Sequence, residues 1–291
     1  MKRINITLLI TILFLTACGQ NPSVPQAVTT SVVKTSTPSP IPTNTIAPTA
    51  TATSLPTFTP TITPTLDPVR STPPTIMLHR PNVNFDSLAF LKDLITILKQ
   101  NEMKVVTYRD IYNDPSITAT DKGKLFIITI DDIYLAYPID PHVLEMISVI
   151  REAGYPAVLG IVTDKEYAYP ETVALLKELS DSGWEIASHT DTHANLGKLE
   201  KASEKLVVKE VNPSLDKIEK AIGIRPITLI LPEGQMVNDA GILHDMDLYW
   251  VVGINGGITY NSEKKIIYVG RESPAKTAEQ TWQNMQSRFG F

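Results

Sequence analysis

The chain has 291 residues, with 26 Lys and Arg against 31 Asp and Glu and a formal charge of −5. So mild and slightly acidic a balance supplies no basic surface for nucleic acid. Its single cysteine, Cys18, excludes an intramolecular disulfide framework and leaves the body without thiolate chemistry.

At the N-terminus, Lys2 and Arg3 precede the apolar run INITLLITILFL, which has signal-peptide length. The run is short for a membrane-spanning helix, which needs about 20 apolar residues. It ends in LTAC, Leu15 to Cys18, which resembles the bacterial lipobox. That resemblance implies that residues 1–18 are a lipoprotein signal and that Cys18 is lipidated. The protein would then be extracytoplasmic, lipid-anchored to the bacterial cell membrane. Residues 19–74 are dominated by Thr, Pro, Ser and Ala and hold more than half of the 22 prolines. Repeated Pro blocks helix and sheet, and few large apolar residues remain to offset ordering entropy, so this segment is expected to be a disordered linker. At roughly 3.1 Å per residue it would reach up to ~170 Å, enough for an enzyme or a binding module to meet polymer outside the membrane.

The body, residues 75–291, is long enough for one sizeable core. PTIMLH reads as a strand, and DSLAFLKDLITILKQNEM as a helix with Asp86 as N-cap. VVTYRDI reads as a short strand entering a turn. KLFIITIDD is a continuous apolar strand of the kind buried on both faces of a parallel sheet. PHVLEMISVIREAG and PETVALLKELSDSG are helices with Pro at the start and Gly at the end. PAVLGIVT and WEIASH are strands. GKLEKASEKLVVKEVNPSLDKIEKAIG mixes both charge signs at helical spacing and reads as one long helix. RPITLILPEG, LYWVVGIN and KIIYVG are strands, and SPAKTAEQTWQNMQSRF a final helix. This alternation predicts an α/β fold with parallel strands, a barrel or a doubly wound sheet.

Polar residues stand where these strands end: His79, Asp131 and Asp132, His189, then Pro232 and Glu233. In parallel α/β barrels those ends form the functional face, so the residues are expected to converge. Adjacent carboxylates repel unless a positive charge lies beside them, and a divalent cation would answer that need. His189 and His193, four residues apart, supply neutral nitrogen donors. Asp plus two His is a three-ligand set with open positions; zinc fits it, and cobalt, nickel, manganese and iron are also compatible.

In TIDDI, Thr129 to Ile133, and HTDTH, His189 to His193, the body resembles the polysaccharide deacetylase (NodB-like) family, carbohydrate esterase family 4, whose motifs are T-F-D-D-G and H-[ST]-x-x-H. The likeness extends in order over about residues 75–272 and implies a distorted (β/α)7-type barrel. It implies that Asp131 is the general base and that Asp132, His189 and His193 hold the metal. The backbone N–H of Glu233, after Pro232, would serve the oxyanion. The implied reaction is metal-dependent hydrolytic deacetylation of an N-acetylated extracellular polysaccharide. Two alternatives stay open: a catalytically impaired, glycan-binding lipoprotein, and an O-acetyl esterase with the same metal site.

The chain departs from the family at four points. Ile230 replaces the third motif's Arg, which positions the base, so Asp131 is expected to lose that control of its acidity. Glu233 replaces an aromatic residue, Ile133 a Gly, and Arg271 stands on the strand that carries the family's general-acid His. Among the remaining histidines His79 is best placed for the site, while His142 and His244 read as helix or loop residues. Trp184 and Trp250 lie in core patterns; Trp282 is a further candidate for a sugar groove. Tyr134 and Tyr137, just after the Asp pair, are better placed to stack on sugar. No pattern assigns an oligomeric state.

Overall fold

A computed structural model describes residues 72–290, except 239, 256 and 264. The signal segment with Cys18, and the linker up to residue 71, lie outside the described residues. Thr72, Pro73 and Pro74 are buried, and the Pro74 carbonyl accepts a hydrogen bond from Ile127 N–H. Among the described residues no helix is long and apolar enough to cross a membrane.

The strands are β1 (Thr75–Leu78), β2 (Lys104–Val105), β3 (Leu125–Tyr134), β4 (Val158–Val162), β5 (Glu185–Ser188), β6 (Thr228–Ile230), β7 (Trp250–Ile254), β8 (Thr259–Asn261) and β9 (Ile266–Arg271). Among the described residues, seven parallel strands run in the order β1-β3-β4-β5-β6-β7-β9; β8 pairs antiparallel with β9, and β2 pairs with the start of β3. The curled sheet brings its edges together: Met77 N–H donates to Glu272 O, and Glu272 N–H donates to Thr75 O. The expected distorted barrel is therefore the observed fold.

Period-2 alternation sorts the strand residues. On β3, Phe126, Ile128 and Ile130 face the helix layer, where they pack with residues of α1 (Ser87–Gln100), α4 (Pro141–Glu152) and α9 (Ala278–Phe289). Leu125 and Ile127 face the barrel interior with Val158, Ala187, Ile230, Trp250 and Val252. The base of the barrel is plugged by Tyr108 against Trp250, with ring centroids 5.2 Å apart.

Tyr108 belongs to a short helix, α2 (Tyr108–Asn113), where VVTYRDI had suggested strand and turn. Thr107 caps it and Asp110 completes a capping box. A one-turn helix, α3 (Ile117–Thr120), follows. Asp86 caps α1 as expected, and Pro141 and Pro170 open α4 and α5 (Pro170–Asp181). The expected long charged helix is two helices, α6 (Leu196–Ala202) and α7 (Glu204–Ile222). They divide at Ser203, whose φ of −172° and ψ of 131° are extended. A short α8 (Ala240–His244) precedes β7. All three tryptophans are core residues, so Trp282 lines no groove; it packs near Phe126.

Candidate metal centre

The site is built at the C-terminal ends of β1, β3, β5, β6 and β9. Alternation along β3 sends Thr129 and Asp131 inward with Leu125 and Ile127 and would send Asp132 outward. Instead, the β3–β4 register shifts between Ile130 and Ile133, so that Asp131 and Asp132 together oppose the single residue Gly160. Asp132 has φ 63°, and this bulge turns its carboxylate to the same face as Asp131. β3 therefore does not end at the Asp pair, as the sequence suggested, but continues to Tyr134. Gly160 makes the bulge fit: a Cβ there would lie 3.3 Å from Asp131 Oδ1 and 3.3 Å from Ile230 Cδ1.

Three groups meet at one point. Asp132 Oδ1 lies 3.3 Å from His189 Nε2 and 3.1 Å from His193 Nε2, and the three donor atoms lie within 4.8 Å of one another. His189 is buried, and its Nδ1 is 2.9 Å from the Ile230 carbonyl. A carbonyl can only accept, so Nδ1 carries the proton and Nε2 offers its lone pair to the site. Asp132 Oδ1 is itself buried without a hydrogen-bond donor. A buried carboxylate oxygen facing imidazole lone pairs is a set that a divalent cation satisfies, and the donor set fits a catalytic zinc-type site.

Asp131 sits beside this cluster, 2% exposed, and accepts a 2.7 Å hydrogen bond from Arg271 Nη1. Arg271 is fully buried. The same Nη1 donates to Thr129 Oγ1, and Nε donates to the Gly253 carbonyl. Burial pushes the Asp131 pKa up, but the Arg271 guanidinium, with charge from His189 and His79, outweighs it and holds the carboxyl below the ordinary range. This corrects the expectation that losing the third-motif Arg leaves Asp131 uncontrolled, because the cation arrives from β9 instead. Burial also pushes Asp132 up, but the His189 contact and the charges of His189, His79 and His193 outweigh it and bring the pKa down to about 2.

His79 stands beside the cluster, its Nε2 4.0 Å from Asp131 Oδ2 and 3.9 Å from Asp132 Oδ2. Pro232 and Glu233 form a 3-10 turn after β6, Pro232–Gly234, with Pro232 buried. Glu233 has φ 55° and Gly234 φ 63°; a Cβ on Gly234 would lie 2.6 Å from Ile254 Cγ1, so only glycine closes this turn. The Glu233 carboxylate is held by Asn195 Nδ2 at 2.6 Å and Lys198 Nζ at 3.5 Å. Tyr134 and Tyr137 are part-exposed, stack edge to face, and line a cavity of about 300 Å³ with Asp132, Arg80 and Asp140. His142 is exposed beside Asp140 and lies outside the metal cluster, while His244 falls on α8. Sequence reasoning missed Gly160, Thr129 and Asn195. Period 2 through LFIITID could have paired Thr129 with Asp131.

With this geometry in hand, residues 118–249 match the family model described as polysaccharide deacetylase. The matched stretch contains Asp131, Asp132, His189 and His193. The deacetylase PplD of Streptococcus pyogenes, in complex with acetate, has a similar fold with 17% identity and a TM-score of 0.59, covering 73% of this chain and 97% of that one. IcaB from Ammonifex degensii gives 16% identity and 0.58, covering 73% and 94%. A polysaccharide deacetylase from Bacillus cereus gives 20% and 0.55, covering 73% and 68%. No curated protein matches the chain. At these identities the structural likeness concerns the fold, a NodB-like barrel.

Proposed function

We propose that the domain removes acetyl groups from an N-acetylated extracellular polysaccharide by metal-dependent hydrolysis. The observation that carries this reading is the meeting of Asp132 Oδ1, His189 Nε2 and His193 Nε2 next to the buried Asp131 carboxylate. A divalent cation, zinc by donor type, would be held by Asp132, His189 and His193. When bound it supplies Lewis acidity toward the acetyl oxygen and makes water a better nucleophile at neutral pH.

This chain's residues supply the remaining roles. Asp131, kept ionised by Arg271, takes a proton as water attacks the acetyl carbon. The Glu233 N–H, in a turn fixed by Pro232 and Gly234, donates to the developing oxyanion. His79 faces both carboxylates and protonates the departing amine nitrogen as the C–N bond breaks, giving acetate and a free amino sugar. It takes the acid's role because Arg271, on the strand expected to carry the acid, is committed to Asp131 and cannot give up its proton. Tyr134 and Tyr137 offer ring faces to a sugar unit in the cavity beside Asp132.

The test is acetate release from N-acetylglucosamine oligomers and from O-acetylated xylo-oligomers, with metal restored, comparing wild type with Asp131→Asn. Release from the N-acetyl substrate that falls by two orders of magnitude or more in the variant supports the reading. Release from O-acetyl esters alone selects the esterase, and release from neither selects the glycan-binding protein. The sequence further supports a tether through lipidated Cys18; Cys18→Ala should then move the protein from membrane to soluble fraction, and unchanged fractionation would end that part.

A further inference from the structure

We propose that one face of α7, formed by Glu210, Ser214 and Lys217, positions the metal ligands by clamping the loop between His189 and His193. The inference rests on the metal-site reading above. These three residues follow the i, i+4, i+7 spacing of a helix face, and together they reach all three residues between the ligands. Ser214 Oγ is 2.9 Å from Ser188 Oγ, which accepts from Thr190 N–H at 3.2 Å. The Glu210 carbonyl accepts from Asp191 N–H at 3.0 Å. Its carboxylate takes both Thr192 N–H and Thr192 Oγ1, at 2.9 and 2.8 Å. Lys217 Nζ donates to Asp191 Oδ1 at 2.8 Å and to the Thr163 carbonyl at 3.0 Å, and Thr163 Oγ1 donates to the same Asp191 oxygen.

The loop needs such holding. Thr190 and His193 have φ values of 66° and 59°, and neither is glycine. Side-chain-bearing residues persist in that region only where surrounding contacts over-determine them. The His189 ring is fixed independently, through Nδ1 and the Ile230 carbonyl. The His193 ring is set through the loop, so a relaxed loop would move one ligand of three and leave the others in place. Glu210 and Lys217 are thus positioning residues, acting on the metal through His193.

The experiment measures Zn²⁺ affinity by chelator competition, and the visible spectrum of the Co²⁺-loaded protein, for wild type, Glu210→Gln, Lys217→Met and Lys217→Arg. The expected result is about tenfold or greater weakening in Glu210→Gln and Lys217→Met, with a changed Co²⁺ ligand-field band. Lys217→Arg should stay near wild type, and the metal-free proteins should melt within a few degrees of one another. Should Lys217→Met fail to fold, Thr192→Val removes one clamp hydroxyl at an exposed position and should weaken binding by roughly threefold. Unchanged affinity and spectrum overturn the clamp, as does a loss of affinity that Lys217→Arg does not rescue. Failure of the wild type to bind either ion would instead sink the metal-site reading itself.

Discussion

Replacing Arg271 by Met tests how the site keeps the Asp131 carboxylate ionised, as its proposed role as base requires. The substitution removes the cation 2.7 Å from Asp131 Oδ1, where Asp131 is 2% exposed and Arg271 fully buried. Two effects follow. Breaking a buried pair from one side costs about 3–5 kcal/mol, because the remaining charge stays buried without a partner. For a domain of this size that corresponds to a fall in Tm of roughly 6–20 °C. The protonation equilibrium moves as well. Without the guanidinium the strongest influence holding the Asp131 pKa down is gone, and burial pushes it up. In wild type the Asp131 carboxyl lies below the ordinary carboxylate range, so its protonation does not set the acid limb of kcat/KM. In Arg271→Met the limb should climb by about 1–3 pH units as Asp131 itself becomes limiting. The assay is acetate release against pH with metal in excess, alongside thermal melts of the single variants and of Arg271→Met/Asp131→Asn. The double variant should recover part of the lost stability, since no uncompensated charge remains. A pH profile superimposable on wild type, or a double variant whose losses simply add, would refute the coupling between the two residues.

Gly160→Ala places a methyl 3.3 Å from Asp131 Oδ1 and Ile230 Cδ1; kcat should drop by about 10–100-fold with a stability cost of ~1–3 kcal/mol, and wild-type kcat would contradict the packing argument. Glu185 is buried, accepting from Thr228 Oγ1 and Arg109 N–H, and burial raises its pKa despite those donors. A raised folded pKa contributes stability that is fully present at low pH and is lost as pH rises through the folded value. Glu185→Gln should therefore flatten the stability profile between mildly acidic and neutral pH, as urea titrations would report; a steeper neutral-pH loss in the variant would reverse the sign. Tyr137→Ala, on the cavity rim, should raise KM for oligomers by about 5–50-fold with little change for a short N-acetyl substrate. Equal effects on both would remove Tyr137 from sugar binding.

Much of this site is legible in the sequence because strand ends converge. His79, His189 and Arg271 stand at such ends, and the Asp pair lies within the last four residues of β3. Period 2 along LFIITID also sorts Thr129 and Asp131 inward. What the sequence hides depends on partners far along the chain. The bulge that turns Asp132 inward needs Gly160 on the neighbouring strand, and no local pattern marks it. Arg271 is 140 positions from Asp131; motif comparison noticed the missing Arg at Ile230 and could not see that another strand supplies the cation. The α6–α7 break is similarly quiet, because Ser203 differs from its helical surroundings only by taking an extended backbone and the N-cap position of α7. β8, three residues at the sheet edge, is too short for alternation to register.

The central claim is that one divalent ion, held by Asp132, His189 and His193, is required for deacetylation. Its most direct test strips the purified protein with chelator and titrates Zn²⁺ or Co²⁺ back while following acetate release from N-acetylglucosamine oligomers. Activity should vanish on stripping and return in proportion to metal, saturating at one equivalent in wild type, while His193→Ala shows neither tight binding nor recovery. Full activity in metal-free protein, or recovery in His193→Ala at the wild-type stoichiometry, would contradict it.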